Sequence, residues 1–500
     1  MAGPAMTYSM VDYADVQGLV RFGYGRMTSA SYALVRVKNL AAAKAWLRAA
    51  PVTNAVEQTP PPTAALQIAF TAPGLTKLGL PDSVIEGFSR EFRTGMNKDY
   101  RARLLGDVDR NAPKHWKWGS PRSEPHLLVM FFAEPQEFDS FLQSAKGNIW
   151  SDAFEKVTWL ETSNLDRDEP FGFADGISQP QIDWEQQRQT PRTQLEYTNI
   201  AALGEFVLGY RNEYGKFTDR PLLDPEAANA ELLSAVDAPA KKDLGRNGTY
   251  LVMRQLEQDV REFWKFLYEQ AGGNLAEASQ LGAKMVGRTR AGDPLVPIQA
   301  EPISGTEPRT VTQNQFTYDS DPVGARCPFG AHVRRTNPRN TDFPGRHLSA
   351  LRKLIITLGF GPKGFYDDLT SSVRFHRILR RGREYGSELL PEEAIQPPPA
   401  HESPRGLNFI CLNASISRQF EFLQNAWIAS TKFAGLTRES DPLLGNRESI
   451  PGCPITGSFT IPGDGTLRRR VPKLPQFVTV RGGAYFFLPS LRALRYFAGA

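Results

Sequence analysis

Ala33-Leu-Val-Arg-Val-Lys38, with Asn39-Leu-Ala-Ala-Ala-Lys-Ala-Trp-Leu-Arg-Ala-Ala50 directly after it, carries the first decision about the fold. The first six residues alternate as a half-buried strand does. Asn39 stands where a helix is capped, Leu40 to Ala50 is rich in Ala, and Pro51 stops it. Leu66, Ile68 and Phe70 alternate in a second strand, and Leu127-Leu-Val-Met-Phe-Phe132 reads as a buried third. Pro135 opens a helix with Phe138, Phe141 and Leu142 on one face, and Val157 to Leu160 supplies a fourth strand. Strand, helix, strand, then strand, helix, strand predicts a split βαβ, ferredoxin-like unit.

The second half follows the same logic without a sequence repeat. Strands are expected at Glu205–Gly209, Thr249–Met253, Leu407–Leu412 and within Phe477–Leu488. Leu256, Val260, Phe263, Trp264 and Leu267 recur at helical spacing. Ser417 is placed to cap a helix in which Phe420, Leu423 and Trp427 share a face. Residues 1–30 read as a loose arm, 181–200 as a polar linker and 341–375 as an insertion. Pro391, Pro397, Pro398, Pro399 and Pro404 predict an extended surface loop. The expected division is an N-terminal domain over 31–190 and a C-terminal domain over 200–500.

Bulk composition narrows the class. The chain has 500 residues, 41% hydrophobic and 23% charged, as globular proteins do. A net charge of +5 with only short basic runs gives no case for nucleic acid. No apolar stretch is long enough to span a membrane. Cys327, Cys411 and Cys453 are scattered and form no CxxC pair, which argues against a disulfide framework and a zinc or iron–sulfur site. With no secretory signal visible, a cytoplasmic location is the expectation, with secretion as the alternative if the N-terminus is processed.

Three segments hold the candidate chemistry. In Phe171-Gly-Phe-Ala-Asp-Gly-Ile-Ser-Gln-Pro180, glycines flank Asp175 and aromatics precede it. Such a carboxylate is either a desolvated proton shuttle or the cap of a surface turn. Six histidines make no HxxxH or HExxH pair, so no zinc site is indicated. A lone histidine still ligates a metal when a macrocycle supplies the other donors, as in haem proteins. His332, in Cys327-Pro-Phe-Gly-Ala-His-Val-Arg-Arg-Thr-Asn-Pro-Arg339, suits that role, and arginines such as Arg334 suit haem propionates. The other reading is a structural histidine beside a basic loop. Arg380 follows the apolar pair Ile378-Leu379, which turns it inward toward a partner, or belongs to a surface arginine cluster.

Together and in this order, the three segments resemble those of the dye-decolorizing peroxidases, a haem peroxidase family, and its longer fungal and bacterial branch. Gly406-Leu-Asn-Phe409 and Gly482-Gly-Ala-Tyr-Phe-Phe-Leu-Pro489 resemble two further family segments, so the likeness runs from about residue 33 onward. The resemblance implies an α+β fold of two ferredoxin-like domains with antiparallel sheets, in the dimeric α+β barrel-like superfamily. It implies one haem b per chain, lying mainly in the C-terminal domain. His332 would ligate the iron, with Asp441 as its hydrogen-bond partner. Asp175 would be the distal acid–base residue and Arg380 its companion. Leu407 and Phe409 would wall the pocket, and Tyr385 and Trp427 resemble surface oxidation sites. The implied partners are hydrogen peroxide and aromatic electron donors such as dyes and phenols, the donors being oxidised through an oxoferryl intermediate. A carboxylate shuttle works near its own pKa, so an acidic optimum for donor oxidation is expected. A haem-handling protein with incidental peroxidase activity is the other class.

Overall fold

The computed structural model describes residues 10–165, 168–187, 199–229, 231–298, 313–339, 373–447, 457–463 and 467–499. The first strand, β1 (Ser29–Val37), turns into α1 (Leu40–Ala49) at Asn39, whose side chain accepts the amide of Ala42 at 3.1 Å. The strands β2 (Ala64–Phe70) and β3 (Leu127–Ala133), the helix α2 (Phe138–Lys146) and the strand β4 (Phe154–Glu161) complete the first unit. In the second half come β5 (Thr249–Gln258), α3 (Val260–Gln270), α4 (Leu275–Val286) and the short helix α5 (His332–Thr336). The short edge strands β6 (Leu379–Arg380) and β7 (Arg383–Tyr385) follow, then β8 (Gly406–Asn413), β9 (Val478–Leu488) and α6 (Leu491–Ala498).

These nine strands form one antiparallel sheet, ordered β6-β8-β5-β9-β2-β3-β1-β4, with β7 beside β6 on the edge of β8, and further short strand pairs lie outside it. Each half has the ferredoxin-like order: β2-β3-β1-β4 in the first, β6/β7-β8-β5-β9 in the second. The two orders meet between β9 and β2, where the ladder holds the single pair Phe487 and Phe70. Both faces are buried, so successive side chains enter different cores. Val252 and Phe487 face the helices, with Trp46, Phe263 and Trp264, while Leu251, Met253 and Phe486 face the other way.

That second face is covered partly by the N-terminal segment, which corrects the expectation of a loose arm for its described part. Val16, Gln17 and Leu19 are fully buried. Gln17 Nε2 donates to the carbonyls of Ile68 on β2 and Pro489 after β9, both at 2.9 Å, and its Oε1 accepts the Ile68 amide at 2.9 Å. The side chain thus bridges the two halves where backbone pairing is thinnest.

Other expectations shift for physical reasons. Glu205–Gly209 is not a strand: Leu203–Glu205 is a 3₁₀ turn and the apolar run is buried as irregular chain. A short apolar run does not by itself separate strand from other buried backbone. Ser417–Glu421 and Leu423–Ala429 wind as π-helix, and Ser417 makes no side-chain cap. The wider turn sends Phe420 into the helix-side core, while Leu423 and Trp427 join a small cluster with Val373. Pro391–Ala394 forms a helical turn, and residues 397–404 are exposed as expected. Residues 188–198 of the expected linker, nearly all of 341–375, and Cys453 lie outside the described residues.

Candidate active site

Two residues of ladder hold the Asp175 segment: Asp168 pairs with Ala174 and Glu169 with Phe173. The turn between them needs Gly172 at φ +84°, and Gly176 follows Asp175 at φ +75°, backbone that favours glycine. Phe171 packs on Phe263 at 4.4 Å and Phe173 stacks over Trp264, both from α3, and Trp264 Nε1 donates to the Phe171 carbonyl at 3.1 Å. The aromatics therefore anchor the turn and leave Asp175 facing a cavity. Glu169 also lines this cavity. It accepts the amides of Phe171 (3.1 Å) and Phe173 (3.2 Å) and the Gln258 amide at 2.6 Å, and burial pushes its carboxyl up to about 7.

Arg380 reaches the same cavity from β6. Its Nη1 donates to Asp175 Oδ1 at 2.6 Å. Gln179 clamps the two segments in both directions, accepting the Arg380 amide and donating to the Arg380 carbonyl, each at 3.1 Å. Burial raises the Asp175 carboxyl, but the Arg380 guanidinium, with the Gly176 amide, outweighs it and holds the group below the usual carboxylate range. Asp175 is therefore a charged partner in an ion pair open to the cavity, not the cap of a surface turn.

His332 begins α5 and also lines the cavity. Its Nδ1 lies 2.9 Å from Oδ2 of Asp441, which is fully buried. Asp441 Oδ1 accepts the amides of Leu443 and Leu444, both at 2.9 Å, so the carboxylate is fixed before it meets the imidazole. Burial lowers the basicity of His332, and Asp441 more than restores it; burial raises the Asp441 carboxyl, and His332 brings it below its ordinary value. The Nε2 atom has no hydrogen-bond partner among the described residues. Leu407 and Phe409, on β8, line the cavity.

Three sequence expectations do not hold. Arg334 does not line the cavity. It lies two residues after His332, about 200° around the helix. There it donates to Asp321 Oδ2 at 2.9 Å and the Cys327 carbonyl at 2.6 Å, between the rings of Tyr318 and Phe329. Tyr385 and Trp427 are not at the surface: they are 9% and 6% exposed. Tyr385 leans toward the Leu256 carbonyl, and Trp427 packs edge-on against His376 and Phe422. Conversely, Glu169 and Gln258 carry no local motif that marks them as site residues, and Gln179 lies inside the Asp175 segment without a feature that singles it out.

The cavity fits a haem by its donor chemistry. Among the described residues no group of three His, Cys, Asp or Glu is placed to hold a metal, and His332 offers the single imidazole that a haem iron takes from its protein. The imidazole is oriented by a carboxylate, as metal-bound histidines commonly are. Apolar wall is supplied by Phe171, Leu256, Leu407, Phe409, Phe420 and Leu443.

Comparison with known proteins points the same way. No protein-family model matches the chain. A dye-decolorizing peroxidase of Auricularia auricula-judae is 28% identical over 505 residues, covering 96% of this chain and 86% of that protein. One of Exidia glandulosa is 27% identical over 511 residues, covering 97% and 87%. A multifunctional dye peroxidase of an Amycolatopsis species is 31% identical over 354 residues, covering 67% and 62%. The crystal structure of a decolorizing peroxidase from Auricularia auricula-judae matches with a TM-score of 0.70 at 26% identity, over 98% of this chain and 100% of that one. A dye-decolorizing peroxidase whose haem pocket was engineered for asymmetric sulfoxidation matches at 0.69 and 25% identity, over 98% and 100%. With two ferredoxin-like units in one sheet, this chain has dye-decolorizing peroxidases as its curated homologues and structure neighbours, similar to it along nearly its whole length.

Proposed function

We propose that the chain is a haem peroxidase that uses hydrogen peroxide to oxidise dyes, phenols and other aromatic donors, with one haem b per chain. The observation that carries this is the convergence on one cavity of a carboxylate-backed histidine and a carboxylate–guanidinium pair. When bound, the haem would supply an iron that takes up peroxide and stores its oxidising equivalents for the donors.

The chain's own residues divide the remaining work. Nε2 of His332 would hold the iron, and Asp441 accepts a hydrogen bond from Nδ1, which fixes the ring and strengthens it as a donor. Asp175 takes the proton from the inner oxygen of peroxide and delivers it to the outer oxygen, which leaves as water. Arg380 keeps Asp175 charged and stabilises the negative charge that grows as the O–O bond breaks. Leu407 and Phe409 keep the wall beside them apolar. A protein that only carried haem would need neither Asp175 nor Arg380.

Rapid mixing of the haem-loaded protein with a small excess of peroxide tests this. A fast change of the Soret spectrum, reversed by a phenolic donor, is expected. A spectrum that stays ferric throughout sinks the proposal and leaves haem handling. His332→Ala should weaken haem binding. Asp175→Asn should keep haem and slow the reaction with peroxide by about 10²–10⁴-fold, the usual contribution of a positioned acid–base group.

A further inference from the structure

Arg288 follows α4 and is 4% exposed, yet it lines the same cavity as His332. Its Nη1 is committed to the carbonyls of Gly292 (2.7 Å) and Gln313 (3.0 Å), and the guanidinium lies over the ring of Phe316. Its Nη2 is buried with no hydrogen-bond partner among the described residues. Burial, Arg339 and Arg380 together lower its pKa to about 10, so it stays charged at neutral pH. Tyr318 and Cys327 also lie near it, and burial keeps both of them neutral. Two other arginines of the cavity wall, Arg254 and Arg380, already have carboxylates, Asp107 and Asp175. A buried cation with an idle donor, set among cations, calls for an anion from outside the chain.

We propose that Arg288 binds a propionate of the haem, its Nη2 donating to the carboxylate; this rests on the haem reading above. A carboxylate is the group that answers a guanidinium fork with charge-assisted hydrogen bonds. The same chemistry is available from a donor that is itself a carboxylic acid, and the experiment separates the two sources.

The apoprotein is titrated with haem and with haem dimethyl ester, in which both propionates are neutral, and binding is read from the Soret band. Wild type should prefer haem. Arg288→Met should lower that preference by about tenfold or more, the worth of one hydrogen bond to a charged group. Arg288→Lys should keep part of it. Each preference is a ratio within one variant, so a general loss of stability cancels. An undiminished preference in Arg288→Met overturns the proposal while leaving the haem reading intact. Failure of wild type to bind either porphyrin overturns the haem reading and this inference with it. Benzoate provides the other arm, added to haem-loaded protein. Equal benzoate affinity in wild type and Arg288→Met supports the propionate, and loss of benzoate binding in the variant overturns it.

Discussion

Asp175 shows how a single residue's chemistry depends on one neighbour. Burial alone would favour its neutral form; Arg380 reverses that. A base with a lowered pKa stays charged as the solution is acidified, so the peroxide reaction should persist into acid and fail only as pH falls through that lowered value. Removing the guanidinium leaves burial unopposed and raises the carboxyl. In Arg380→Leu the acid limb of the rate profile for peroxide should therefore move to higher pH, besides an overall slowing. An acid limb that stays in place would mean that Arg380 does not control the charge of Asp175. Asp441→Asn acts on the other wall and should weaken haem affinity by about 10–100-fold, measured by haem transfer to an acceptor protein. Asp175, His332 and Arg380 were legible because each sits in a short local pattern of glycines, apolar residues and charge. Arg334 was misread because adjacency in sequence ignores the helical turn that carries it away from His332. Gln179 was illegible because its partner, Arg380, lies 201 residues away.

At the level of elements, periodicity served well where the backbone was regular and poorly where it was not. Alternation and the Asn39 cap located α1 and the end of β1 to within a residue, though β1 begins four residues earlier than its alternation suggested. The π-helix escaped because spacing was judged at 3.6 residues per turn, which put Phe420 and Trp427 on one face when they serve different clusters. Burial of Tyr385 and Trp427 depends on what packs over them, which a single sequence does not display. His376 stacks on Phe422 at 3.6 Å, and Trp427 meets both rings edge-on. Trp427→Ala should therefore cost about 3–5 kcal/mol of stability in denaturant unfolding, the range for losing a buried aromatic. An exposed tryptophan would lose far less.

For the whole molecule, the sequence conveyed two units of like order but not their joint. One ladder pair, Phe487 with Phe70, links the half-sheets, and the rings of Phe88, Phe92, Tyr250 and Phe497 gather around Phe487. Phe487→Ala should destabilise both halves together by about 3–5 kcal/mol. Two separate unfolding transitions in wild type would contradict so shared a core.

Gln17 gives this joint a timetable. Its carbonyl partner at Pro489 lies 472 residues farther along the chain. At the usual ~5–20 residues per second of synthesis, on the order of a minute separates the appearance of the two. Throughout that interval β2 has no β9 beside it, and Phe70 and Ile68 have apolar neighbours still unmade. The nascent chain thus carries a sticky, half-finished edge on the ribosome, and growth temperature and chaperone supply should govern how much of it reaches the native state.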